Sequence, residues 1–182
     1  AGRCTGGTVT IDGRAIDHID VNYRSELVGD MFNGNDGFSG KKRFSLEGGV
    51  RIPFIVRYPG GNQPGTTCNH LLANYDTMAT MADILDVKVP EWKDGISFLP
   101  SLRGAEQPQH EYVVFAGNVG PALVTPDGWK VRYLTPVRRF QLFYLPDDYR
   151  EEKNLATERP EKLREMGTKL LKACDGNMYH GT

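Results

Sequence analysis

The run PALVTPDGWKVRYLT, Pro121 to Thr135, constrains the fold more than any other stretch of this chain. Two segments rich in β-branched and aromatic residues flank Asp127-Gly128, a pair suited to the positive backbone angles of a tight hairpin. EYVVFAG before it and FQLFYL after it read as further strands. Short connections between such strands allow only antiparallel neighbours. A helix is expected next, from Pro160 to Ala173, with Leu163, Met166, Leu170 and Leu171 as its apolar stripe. Thr157 is its expected cap, with Glu158 and Glu161 near the positive end of the helix dipole.

Upstream, NYDTMATMADILDV predicts a helix capped by Asn74 or Asp76, with Met78, Met81, Ala82 and Leu85 as its core face. ISFLPSLRG predicts a short helical turn or extended chain, and Asp94-Gly95 a turn whose carboxylate caps it. GGVRIPFIVRYPG reads as a strand buried on both faces, because Val50, Ile52, Phe54, Ile55 and Val56 are almost continuous. Nearer the start, GTVTIDG predicts a short strand, and RAIDHIDVNY a second strand or a loop. The order strand, helix, meander, helix implies an α/β layer carrying a small α+β appendage.

Composition narrows the function classes. The 182 residues carry a net charge of −1, without a basic block for nucleic acid or an acidic tail. No apolar run approaches the roughly 20 residues of a membrane span. Cys4, Cys68 and Cys174 lie far apart and form no CxxC pair, which argues against zinc. The chain opens on alanine without a signal-peptide pattern, so it reads as a processed or truncated product.

The segment GKKRFSLEGGVRIPFIVRYPG resembles the part of type I sulfatases that carries an active-site lysine before a Glu-Gly-Gly turn. YDTMATMADILDV with KDGISFLPSLRG is similar to the next helix of that family and the lead toward its C-terminal subdomain. DGWKVRYL, FQLFYLPDD and EEKNLA resemble the subdomain itself. The likeness runs in order from about Gly34 to Ala173. It implies the C-terminal part of an alkaline-phosphatase-like α/β sheet over residues 1–104. Over residues 105–182 it implies a small antiparallel sheet packed on a C-terminal helix.

The family hydrolyses sulfate esters with a formylglycine nucleophile and a calcium-type cation, so the resemblance implies a sulfated small molecule or glycan as substrate. It places a sulfate-binding lysine at Lys42, five residues before Glu47, with Lys41 facing solvent. Glu47, Gly48 and Gly49 are expected to be structural, the glycines for positive φ, and Arg51 to meet an internal carboxylate. For the Asp-Asn or Asp-His metal pair the nearest carry-over is Asp17 and His18, with Asp12 and Asp20 as rivals. His110 is a candidate substrate contact or a loop histidine, and Asn118 a candidate sugar contact or a turn residue. Trp129 is expected in the core.

The nucleophile motif Cys-x-Pro-Ser-Arg is absent; Cys4 is followed by Gly6 and Thr8 where proline and arginine belong. The chain by itself is therefore expected to be inactive. Two other readings stay open: a phosphodiesterase or phosphonate monoester hydrolase of the same superfamily, or a degenerate anion-binding fragment. Export to the periplasm, lysosome or cell exterior is implied by resemblance only.

Overall fold

The structure is a computed structural model describing residues 9–11, 14–16, 36–61 and 64–179. The chain divides into two compact units, Ala1–Phe38 and Ser39–Thr182. In the first, β1 (Val9–Ile11) and β2 (Arg14–Ile16) pair antiparallel, with Thr10 opposite Ala15.

The second unit is built on one antiparallel sheet of β3 (Val113–Phe115), β4 (Ala122–Val124), β5 (Trp129–Leu134) and β6 (Arg139–Tyr144), neighbours in that order. The expected Asp127-Gly128 hairpin joins β4 to β5. Gly128 has φ +87°, and the Thr125 amide donates to the Trp129 carbonyl at 2.9 Å. Four helical segments accompany the sheet: α1 (Glu47–Val50), α2 (Asp76–Ile84), α3 (Leu99–Leu102) and α4 (Pro160–Ala173).

Strand alternation divides the sheet into two unlike faces. Leu123, Val131 and Leu142 point to one face, where Met166, Leu170 and Cys174 at the C-terminal end of the chain close the core. Trp129 and Tyr133 flank Val131 on the same face and meet Tyr144 and Phe140 at ring distances of 4.9 and 5.0 Å. Trp129 is thus a core residue, as expected. Burying side chains of this size contributes about 1.5–3 kcal/mol each. The opposite face carries Lys130 and Arg132, both buried.

Several local expectations are corrected. Arg51–Tyr58 has no regular secondary structure and forms no ladder with any described strand, and Ile55 is 94% exposed. A continuous apolar run has strand propensity, but a strand exists only where a neighbour takes its backbone groups. Phe54 alone of the run finds an aromatic partner, meeting Phe98 edge-on at 5.4 Å. On α2 the packed residues are Asp76, Ala79 and Thr80, while Met78, Met81 and Leu85 are exposed. Asp76 and Thr80 take the inner face because backbone amides there need acceptors.

Asp76 sits in the first turn of α2, after Tyr75 as the cap residue, and accepts from the Ala73 and Ile96 amides at 2.7 and 2.9 Å. Asp76, and not Asp94, thus takes the amide of Ile96 at the start of the segment that Asp94 was expected to cap. Thr80 Oγ1 accepts from the Phe98 amide at 2.9 Å. Finally, α4 starts after Arg159 without a side-chain cap; Pro160 in the first turn supplies the preset φ, not Thr157. Leu171 lies outside the buried core.

Candidate functional site

The cationic turn is built by Lys41 to Phe44. The Phe44 amide donates to the Lys41 carbonyl at 3.0 Å, which places Lys42 and Arg43 at the turn's two central positions. Lys42 is exposed. Arg43 has φ +75°, a conformation that costs a residue with a Cβ about 1–2 kcal/mol. The surroundings hold it there. The Asn118 amide donates to the Arg43 carbonyl at 2.9 Å, and a Cβ at Gly117 would lie 3.3 Å from that oxygen. Asn118 therefore serves through its backbone, in a turn closed by the Gly120 amide on Gly117.

The Glu-Gly-Gly motif forms α1, and neither of its glycines has positive φ; the left-handed angles fall on Gly40 and Arg43. Gly49 is needed for a different reason. A Cβ there would stand 2.2 Å from the Phe44 carbonyl oxygen and 2.5 Å from that of Lys41. The glycine lets α1 press directly against the turn that carries Lys42. The Gly48 amide closes the loop on the Ser39 carbonyl at 2.8 Å.

Below the turn lies a buried charge cluster. Lys130 Nζ is fully buried and donates to Glu47 Oε1 at 2.8 Å. It also lies 3.0 Å from Glu151 Oε1, an ion-pair contact without the direction of a good hydrogen bond. Glu151 Oε2 accepts from the Glu47 amide at 2.6 Å. Arg51 meets Glu47 Oε2 at 3.2 Å, so the internal carboxylate expected for it is Glu47. Arg132 donates from Nε to Ser45 Oγ at 3.1 Å and from Nη1 to Gln141 Oε1 at 2.8 Å.

Desolvation raises the Glu151 carboxyl above its ordinary value, against the opposing pull of Lys130 and the Glu47 amide. Desolvation likewise lowers Arg132, with Glu151 opposing. This arrangement presents a cation on a stiff backbone, which suits an anionic group far better than a neutral one.

His110 is buried, with Nε2 2.8 Å from Asp76 Oδ1 and its ring edge-on to Tyr75 at 5.6 Å. Asp12, Asp17, His18 and Asp20 lie outside the described residues, as does Cys4. Cys68 and Cys174 are free thiols, and burial raises the latter's pKa. Among the described residues no group of three His, Cys, Asp or Glu could hold a metal ion. The described residues by themselves do not supply a calcium site.

Residues 34–175 match the family described as N-sulphoglucosamine sulphohydrolase, C-terminal. The chain belongs to the sulfatase family. It is 30% identical over 171 residues to an N-acetylgalactosamine-6-O-sulfatase of Bacteroides thetaiotaomicron, covering 84% of this chain and 33% of that protein. A solved structure from the metabolism of multiple glycosaminoglycans by the same organism superposes with a TM-score of 0.66 at 30% identity, over 76% of this chain and 32% of the other. A second, a 2-O GAG sulfatase, gives 0.56 at 28% identity, over 64% of this chain and 28% of its own.

This sulfatase chain thus spans about a third of the length of these relatives. Its fold is the α/β arrangement expected for the C-terminal part of the family, with the small antiparallel sheet and terminal helix. The residues that sequence reading missed are Lys130, Arg132 and Glu151. The alternation Trp-Lys-Val-Arg-Tyr puts the two cations on one face of a strand flanked on both sides, but nothing in the sequence pairs them with Glu47 or Glu151.

Proposed function

We propose that the polypeptide carrying this chain hydrolyses sulfate esters of sulfated glycans, and that Lys42 binds the sulfate. The supporting observation is an exposed lysine held on a clamped turn, within a segment that matches a sulfatase C-terminal family over residues 34–175. The chemistry fits. Negative charge builds on the oxygens around sulfur as the ester S–O bond breaks, and a preplaced ammonium stabilises it without reorganising. The glycan assignment rests on relatives whose names are N-acetylgalactosamine-6-O-sulfatase and 2-O GAG sulfatase. The matched family and these relatives favour sulfur over phosphorus esters.

Asp17 and His18 stand as proposed calcium ligands on sequence grounds, and formylglycine as the nucleophile to be sought in the upstream coding sequence. Export, a boundary near residue 104 and a substrate contact from His110 are proposed on the same family grounds.

The test has two arms. The 182-residue chain, assayed with a chromogenic aryl sulfate and calcium, is expected to show no turnover above a Lys42→Ala control. The polypeptide extended by its upstream coding sequence is expected to turn over sulfated saccharides, and Lys42→Ala to lower kcat by about 10²–10³-fold. Turnover untouched by Lys42→Ala removes the lysine from its role; no turnover on any sulfate ester removes the function.

A further inference from the structure

We propose that Lys130 is a positioning residue: its buried ammonium, clamped between Glu47 and Glu151, fixes the direction in which the turn presents Lys42 to an anionic group. This rests on the reading of Lys42 given above.

The cluster is a poor way to gain stability. A fully buried lysine loses its hydration, and apolar side chains of similar volume do as well or better in such a place. What ions supply is direction. The hydrogen bonds here have one geometry each, and those to Glu47 and Ser45 converge on α1 and the residues leading into it. Glu47 takes Lys130 on Oε1 and Arg51 on Oε2, while its own amide is held by Glu151. Ser45, two residues before α1, is held by Arg132.

The backbone ties of the turn work differently. The Phe44 and Gly48 amides close the loop on itself, through Lys41 and Ser39. The Asn118 amide ties the Arg43 carbonyl to a neighbouring turn. The side-chain cluster joins α1 to the β5 strand, across a sequence separation of 83 residues from Glu47 to Lys130. Gly49 transmits the constraint, because α1 and the Lys41–Phe44 turn meet there without side-chain atoms between them.

Removing the ammonium leaves two carboxylates facing one another. Their repulsion, and the loss of the shared cation, would free α1 from the sheet and let the turn swing. A displacement of about 1 Å in a positioned group costs on the order of 10²-fold in rate.

Trypsin reads the turn directly, since Lys41, Lys42 and Arg43 are adjacent cleavage sites. In the 182-residue chain, Lys130→Met is expected to speed nicking at these residues by about tenfold or more, while Lys169 and Lys172 on α4 stay protected. Glu151→Gln, close to isosteric, is expected to give a smaller increase in the same place and decides the matter if Lys130→Met does not fold. This readout is independent of any sulfate chemistry, so it stands even if the proposed activity does not.

The second readout is a cycle in the upstream-extended enzyme. Lys130→Met is expected to lower kcat more than it raises KM, and the Lys42→Ala/Lys130→Met double variant to be no slower than Lys42→Ala alone. Unchanged nicking in a folded variant, or losses that multiply in the double variant, overturn the proposal.

Discussion

The two faces of the β3–β6 sheet come from the same strands and do opposite things. On the α4 face, Leu123, Val131, Leu142, Met166 and Leu170 pack by shape and area. That attraction is non-directional, and neighbours can shift to fill a gap. On the other face, Lys130 and Arg132 hold Glu47, Ser45 and Gln141 by directional hydrogen bonds, and Lys130 holds Glu151 by charge. An apolar face is enough to make the subdomain. The ionic face adds a fixed address for a loop that originates far away in sequence. The lesson is that β5 is both the centre of a core and the pedestal of a candidate site, with one residue step separating the roles.

The largest expected effect breaks the ionic face. Lys130→Met leaves Glu47 and Glu151 buried without their shared cation and is expected to cost about 3–5 kcal/mol, read as the midpoint of urea unfolding. Replacing Lys130 and Glu47 together, as Lys130→Met with Glu47→Gln, is expected to restore part of that loss, since the one carboxylate that remains, Glu151, still has the Arg132 cation opposing its charge. A double variant no more stable than the single one would show that packing, not charge, governs this face.

Next in size is the apolar face. Leu170, fully buried against the sheet, is expected to cost about 2–5 kcal/mol on replacement by alanine, through lost burial plus a cavity. The two faces should differ in salt response: the Leu170→Ala penalty is expected to be insensitive to ionic strength, and loop nicking by trypsin to leave it unregistered. Faster nicking at Lys41–Arg43 in Leu170→Ala would mean that the faces are not separable.

That separation explains what the sequence made legible. The α4 face was readable because period-two and helical spacing both depend on residues close in sequence, from Val113 to Ala173. Lys42 was picked out by the glutamate and glycines beside it, although the reason for Gly49 is a close backbone approach and not its φ. The ionic face was not legible, because Glu47, Lys130 and Glu151 meet only through tertiary contact. Ile52 to Val56 failed for a related reason: their apolar pattern describes a propensity, and whether a partner strand lies alongside is not written in those residues. The α2 stripe failed because Asp76 and Thr80, polar and outside the expected stripe, satisfy amides at Ala73, Ile96 and Phe98.

A third prediction sharpens the comparison by pH. Glu151 has a folded pKa above its unfolded value, because burial outweighs Lys130. The folded state therefore binds that proton more tightly, and the group's contribution is fully present below the unfolded value. It is lost as pH rises through the raised folded value. Glu151→Gln removes this dependence. The difference in unfolding free energy, variant minus wild type, is expected to grow in the variant's favour as pH rises above the unfolded carboxyl value of about 4.3. A flat difference would place the charge cost elsewhere in the cluster.

The smallest expected effect has the opposite sign and sits on the hairpin that joins β4 to β5. Asp127 has burial acting to raise its pKa, but the Thr125 hydroxyl, the nearby Lys162 and backbone amides outweigh it and hold the value below the ordinary 3.8. A depressed carboxyl stabilises the fold above its unfolded pKa and loses that contribution as pH falls through the folded value. Its Lys162 partner is 3.8 Å away at the edge of solvent, and exposed pairs of this kind contribute roughly 0–1 kcal/mol. Asp127→Asn is therefore expected to lower stability slightly at neutral pH, and that loss to shrink as pH falls below the unfolded value of about 3.9, measured by thermal unfolding across that range. Because the hydrogen bond from Thr125 can persist to the asparagine carbonyl, the loss that remains is charge alone, and added salt should erase it. A penalty that survives high salt would assign Asp127 to the turn geometry of Gly128 instead, and would make the hairpin itself, not its charge, what holds β5 in register between the two faces.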